Sequence, residues 1–301
     1  MSRILYISVE KAAKLWNISE RSVRNYCEQG RIEGSLLEGK IWKIPSNAEK
    51  PERKIRHVIT KKSLLSVLKQ EKEAGLKDGI YHKIQIDLTY NSNYIEGSRL
   101  TYEQTRYIFE TKTIGIIDKS LKVDDIIETV NHFRCVDLII EGVKTKLSES
   151  FIKQLHFILK SGTTDSQKSW FKVGDYKMLE NEVGGMETAK PCEVAVKIKD
   201  LLTQYNSKAQ ITFDDILDFH VQFEKNHPFQ DGNGRVGRLL MFKECLKYNI
   251  VPFIITDEIK SYYYRGLNEW KNERGYLRDT CLTAQDFMKQ VLNKFCIDYV
   301  H

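Results

Sequence analysis

The chain has 301 residues, 41% of them hydrophobic and 29% charged, with a formal net charge of +6. That length accommodates one large core or two domains, and the composition is ordinary for a globular protein in water. It has no apolar run of about 18 residues, which excludes a membrane-spanning helix, and its start, MSRILYISVEKAAK, lacks the apolar stretch and cleavage site of a secretory signal.

The charge is unevenly spread. Residues 1–62 hold 14 Lys and Arg against 7 Asp and Glu, a balance of +7, and the remainder holds 33 against 34. A small basic module joined to a near-neutral body implies a polyanionic partner for the module; the plainer reading is a merely solvated surface. Six scattered cysteines (Cys27, Cys135, Cys192, Cys245, Cys281, Cys296) include no pair two or three residues apart. This argues against a zinc site and a disulfide framework and fits a reducing cytoplasm.

In chain order, Ser8 can cap a helix that carries Val9, Ala12, Ala13 and Trp16 on one face. Ser19 can cap a second helix with Val23, Tyr26 and Cys27 inward, ended by Gly30. RIEGSLLEGKIWKIP then reads as two short strands around a glycine turn, closed by Pro45. Residues 1–48 therefore form a predicted winged helix-turn-helix that resembles excisionase and MerR-type DNA-binding modules. Arg21, Arg24 and Asn25 would enter a major groove, and Lys40 and Lys43 would meet phosphates. The competing reading is a helical hairpin used for dimerisation.

Residues 49–62 are polar and aperiodic, as in a linker. From 63 to 301 the pattern is helical. Ile84, Leu88 and Ile95 share a face, and Thr101 to Gln104 is a capping box. Ile126, Val130, Phe133 and Leu138 form a stripe, as do Phe151, Leu155 and Ile158, and Val194, Ile198, Leu201 and Tyr205. A further helix runs from Phe213 to Lys225. The exception is the stretch at about 173–190, where Gly184 and Gly185 sit between short runs and imply a hairpin. His132, His156 and His220 read as structural histidines on helices.

The chemistry concentrates in HPFQDGNGRVGR, residues 227–238. Pro228 ends the preceding helix at His227. Gly232, Asn233 and Gly234 permit positive φ and leave backbone N–H groups open to an anion at the start of the next helix. Arg235 and Arg238, three residues apart, can reach further phosphate oxygens. Asp231 makes sense beside phosphates if it holds Mg²⁺, and His227 can take a proton from an attacking hydroxyl. These parts describe transfer of a phosphate-containing group to an alcohol.

The stretch fits without a gap the Fic-family signature His-x-Phe-x-Asp/Glu-Gly-Asn-Gly-Arg-x-x-Arg, and the helical context extends the resemblance from about residue 80 to 290. The resemblance implies a mainly α, Fic-type helical bundle with a β-hairpin flap, transferring AMP from ATP to a Ser, Thr or Tyr hydroxyl of a protein, itself included. It implies that His227 is the base, Asp231 the metal ligand, and Phe229 structural. Asn233, the glycine backbone and Arg235 would hold the α- and β-phosphates, and Arg238 the γ-phosphate. Related death-on-curing toxins, which transfer a phosphoryl group, carry lysine in place of the second glycine; Gly234 here favours nucleotidyl transfer. The flap would align the target by strand addition, against the alternative of an ordinary hairpin.

SNYIEG, residues 92–97, lies in a predicted helix at about 84–97 and resembles the family's inhibitory motif. Ser92 and Glu96 share a helical face, and Gly97 can stop the helix. By resemblance Glu96 pairs with Arg238 and takes the γ-phosphate's place. In some members the same glutamate supports AMP removal, so both roles stay open, as does a DNA-binding regulator whose Fic core only senses nucleotide. Winged-helix modules and Fic cores both often pair, which leaves a homodimer open.

Overall fold

The computed structural model describes residues 5–39, 41–51, 63–115, 120–183 and 186–297. The chain divides into two compact units, Met1–Thr60 and Lys61–His301.

In the first unit, β1 (Tyr6–Ser8) leads into α1 (Val9–Trp16), followed by α2 (Glu20–Glu28), β2 (Leu36–Glu38) and β3 (Ile41–Pro45). The Ser8 hydroxyl accepts from the Lys11 N–H at 3.2 Å and that of Ser19 from Ser22 N–H at 3.2 Å, so both expected caps form. Asn17, left-handed at φ 52°, turns the chain between the helices. The sheet order β1-β3-β2, antiparallel throughout, includes β1, a strand the sequence reading did not anticipate. Three residues carry too little alternation to announce a strand; its pairing with β3 creates it. Val9, Ala12, Ala13, Trp16, Val23, Cys27, Ile32 and Ile44 form the unit's own core. Tyr26, expected inward, is only half-buried, and the Arg31 guanidinium lies 4.7 Å from its ring centre.

The second unit is a helical bundle: α3 (Leu64–Ala74), α4 (Ile80–Ile95), α5 (Tyr102–Thr111), α6 (Val123–Gly142), α7 (Glu149–Lys160), α8 (Pro191–Asn206), α9 (Phe213–Asn226), α10 (Asn233–Lys247), α11 (Lys260–Glu269) and α12 (Gly275–Lys294). The capping box at Thr101 and Gln104 opens α5 as expected. α10 is buried along almost its whole length and forms the axis of the bundle, with Val236, Leu239 and Leu240 in the core. Even its polar residues are paired: Lys243 donates to Glu244 at 2.8 Å and to the Thr145 carbonyl at 2.7 Å, and the Tyr205 hydroxyl donates to Glu244 at 3.0 Å.

Two stripes are displaced from the sequence reading. On α6, Phe133 is buried as expected but Val130 is exposed, and the face also buries Cys135, Val136, Ile139 and Ile140; on α8, Leu202 rather than Leu201 is buried. A helix packed on two sides carries apolar residues around much of its circumference, so spacing alone does not select the core face. The hairpin is shorter than the 173–190 stretch: β4 (Glu182–Val183) pairs with β5 (Met186–Glu187), and residues 173–181 form the loop leading to it. Gly184 and Gly185 lie outside the described residues, as do Lys40 and residues 52–62 of the expected linker. Among the described residues no helix is long and apolar enough to cross a membrane.

Candidate active site

The stretch 227–238 joins the end of α9 to the start of α10. Proline cannot extend a helix, so α9 stops at Asn226, and His227 caps it in a left-handed conformation at φ 45°. Gly232, at φ 82°, is the N-cap of α10. A side chain there would be strained, which explains glycine at this position. The first N–H groups of α10 have no partner within the helix and carry its positive dipole end.

Interior contacts fix the loop. Phe229 is fully buried and stacks on His156, ring centres 3.9 Å apart and planes 4° apart. His156 Nδ1 accepts from the Gly174 N–H at 2.9 Å, so its proton is on Nε2, which donates to the Asp231 carbonyl at 3.2 Å. Asn233 departs from the expected phosphate contact. Its side chain accepts from the Phe229 N–H and donates to the Phe229 carbonyl, both at 2.8 Å, so it closes the loop on itself.

Arg235 is committed as well. It is 4% exposed; one nitrogen pairs with Glu128 and another lies 3.3 Å from Asp231 Oδ2. The same oxygen accepts from Lys160 Nζ at 2.6 Å, and Lys160 also pairs with Glu128. Burial would raise the Asp231 carboxyl, but Arg235 and Lys160 outweigh it and hold the group well below the usual carboxylate range. Glu128 and Lys160 escaped the sequence reading. They come from α6 and α7, and no local pattern distinguishes them from other charged helical residues.

Arg238, 4% exposed, points to the end of α4. Its Nε donates to Ser92 Oγ at 3.0 Å, and one terminal nitrogen donates to the Ser92 carbonyl at 2.9 Å and to Glu96 Oε1 at 2.6 Å. Glu96 is the C-cap of α4, and Gly97 follows at φ 94°. Asn93 donates to the Thr129 hydroxyl at 3.2 Å, which ties this helix end to α6.

His227, Gly234, Arg238 and Glu96 line one cavity of about 410 Å³, which the sequence left without a second wall. α11 supplies that wall through Tyr264, Leu267 and Asn268, with Lys271 just beyond its end. Burial, then the positive charge of Lys177, lowers His227 to about 4, so the imidazole is neutral at ordinary pH. Its Nδ1 is buried without a hydrogen-bond partner among the described residues. Glu224 borders the same cavity and is pushed up to about 8, chiefly by burial. A larger cleft of about 770 Å³ between α8 and α9 contains none of residues 227–238.

Residues 146–245 match the family model described as the Fic/DOC family. Residues 146–245 form a Fic domain. Two relatives, each called protein adenylyltransferase Fic, are 27% identical (Drosophila willistoni) and 26% identical (Drosophila melanogaster) over 227 residues. These alignments cover 72% of this chain, and 42% and 43% of the relatives, so the chain spans about two-fifths of the length of the curated relatives it matches. A Fic-domain signalling protein from Bacteroides thetaiotaomicron superposes with a TM-score of 0.60 at 23% identity, over 76% of this chain and 94% of that one. Fic-1 from C. elegans gives 0.60 at 18% identity, over 77% and 72%. These likenesses establish the fold: the mainly helical body with its small hairpin is a Fic-type bundle.

Proposed function

We propose that the Fic domain transfers AMP from ATP to a hydroxyl side chain of a protein, its own chain included, and that Glu96 restrains it. The observation that carries this reading is the shared cavity: a neutral imidazole, the N-terminus of a buried helix and a buried arginine meet in one space. The target's hydroxyl oxygen attacks the α-phosphorus, its proton passes to His227, and the bond to the pyrophosphate oxygen breaks. The N–H groups of Gly232, Asn233 and Gly234 bind phosphate oxygens, and Arg238 receives the γ-phosphate once Glu96 has left. Arg235 acts mainly by fixing Asp231, since its guanidinium faces Glu128 and Asp231.

Asp231 suits a magnesium ion. Its carboxyl is ionised, and both of its ion pairs fall on Oδ2, so Oδ1 is the oxygen left for a cation. Magnesium needs only one or two carboxylates when phosphates complete its shell, and bound there it would neutralise phosphate charge. Tyr264 and Leu267 offer the apolar wall a nucleobase needs, and the hairpin of β4 and β5 presents the target's backbone.

Incubation with α-labelled and, separately, γ-labelled ATP tests the reading. Protein-bound label from the α position alone supports AMP transfer. Label from γ alone means phosphoryl transfer, and binding without label leaves a nucleotide sensor.

For the first unit we propose duplex DNA as partner. Arg21, Arg24 and Asn25 are exposed together on α2, which supports the groove-reading role. Lys43 pairs with Glu38 across the hairpin, so its phosphate contact requires that exposed pair to open.

A further inference from the structure

Lys177 is the residue whose burial the chemistry so far leaves unexplained. It is 3% exposed, yet among the described residues it forms no ion pair. A buried ammonium without a carboxylate is costly, so its retention calls for a role other than stability. Its Nζ donates to Asn181 Oδ1 and to Thr188 Oγ1, each at 2.6 Å. Its backbone N–H donates to the Pro228 carbonyl at 2.9 Å. Asn181 in turn donates to the Phe229 carbonyl at 3.1 Å, and the Thr188 hydroxyl donates to the Asn181 carbonyl at 2.8 Å.

These bonds share one geometry. Asn181 immediately precedes β4 and Thr188 immediately follows β5, so one ammonium clips the two legs of the hairpin together. Lys177 and Asn181 are bonded in turn to Pro228 and Phe229, which follow His227 directly. Thr188 also lines the cavity that holds His227. The hairpin and the catalytic loop are therefore registered to each other through Lys177.

We propose that Lys177 is a positioning residue for the transfer reaction, fixing the hairpin against the loop of His227. The proposal rests on the transferase reading for its consequence and on hydrogen bonds alone for its geometry. A target strand laid along the hairpin would reach His227 at a set distance only while the clip holds. Beside burial, the groups that act on the imidazole are Lys177, which opposes its protonation, and the Glu224 backbone, Glu96 and Asp231, which favour it.

The test uses the full chain with Lys177→Met, Lys177→Arg and Thr188→Val. Hydrogen exchange read over residues 179–190 should quicken at least tenfold in Lys177→Met, with the rest of the domain unchanged. The ring NMR signals of His227 should titrate at a higher pH in the same variant. Lys177→Arg should restore the titration but only part of the protection, because it keeps the charge and changes the donor geometry. Thr188→Val should loosen the hairpin without moving the titration, and it serves if Lys177→Met does not fold. In a Glu96→Gly background, Lys177→Met should lower label transfer from α-labelled ATP at least tenfold while binding of a non-hydrolysable ATP analogue stays within twofold. Wild-type exchange together with an unshifted His227 would overturn the proposal. Absence of transfer in every protein, Glu96→Gly included, would overturn the transferase reading instead and leave the exchange and titration results to judge the clip.

Discussion

Glu96 Oε1 lies 2.6 Å from a guanidinium nitrogen of Arg238, although 142 residues separate the two in the chain. The end of α4 holds that arginine three times over, through Glu96, the Ser92 hydroxyl and the Ser92 carbonyl. On the function proposed above, an arginine so engaged would be withheld from an incoming phosphate. Ser92 adds two of the three bonds, so the restraint is wider than one ion pair.

Replacing Glu96 by glycine is expected to raise self-labelling from α-labelled ATP by about tenfold or more, equivalent to about 1.4 kcal/mol. That is a fraction of the 3–5 kcal/mol typical of uncoupling a buried pair, and Glu96 is partly exposed. Arg238→Ala should not have this effect, because it removes the phosphate ligand along with the ion pair. The double variant should behave like Arg238→Ala, a non-additive cycle expected of residues in contact. Equal labelling of wild type and Glu96→Gly at saturating ATP and Mg²⁺ would reduce residues 92–97 to a helix end.

His227→Ala should lower transfer by about 10² to 10⁴, the usual worth of a positioned base. ATP binding should stay nearly unchanged, because the phosphate contacts come from α10. Calorimetric titration with ATP beside a labelling assay separates the two effects. Undiminished labelling would remove His227 from the reaction.

Acid should destabilise the fold at a pH above the usual carboxylate range. Burial lowers His132 and His220 to about 3. The unfolded chain protonates both near the ordinary value of about 6.5, and the folded chain does not. Below that value the unfolded state binds more protons, so stability falls as pH drops from 6.5 toward 3, by up to about 1.4 kcal/mol per pH unit for each group. Urea midpoints at pH 7 and pH 5 read this directly, and identical midpoints would contradict it.

Two glycines of α10 should respond differently to alanine. A Cβ on Gly237 would sit 2.4 Å from Glu224 Oε1 and 2.8 Å from His220 Cε1, both held in the interior. Gly237→Ala should cost about 1–3 kcal/mol, the usual range for overpacking. On Gly234 the Cβ would sit 2.3 Å from Glu96 Oε1, the far end of a long, partly exposed side chain. Gly234→Ala should therefore lose less stability and weaken the Glu96–Arg238 pair. Chemical denaturation ranks the two, and the reverse order would refute the packing argument.

If the first unit binds DNA, a gel shift of the full chain on a duplex should weaken steeply between 50 and 200 mM salt, about 10³-fold for six phosphate contacts. Arg21→Ala with Arg24→Ala should flatten that slope by about two contacts. No shift at low salt would favour the dimerisation reading.

The local elements were legible in the sequence because their causes are local. Ser8, Ser19 and Thr101 cap helices through atoms three residues away, and Pro228 ends α9 wherever it sits. The glycine turn that opens α10 was legible for the same reason: glycine spacing and the start of α10 are consecutive in the chain. Tertiary structure decided the rest. Glu128, Lys160 and Lys177 look like any charged residues in sequence; they acquire meaning only where folding removes water and forces each charge to find a partner. Asn233 and Arg235 show the converse, since their residue types suit a phosphate while their neighbours engage them in bracing the loop. Which face of α6 is buried, and which helix walls the cavity opposite His227, depend on packing between segments far apart in the chain, and no spacing within one segment encodes that.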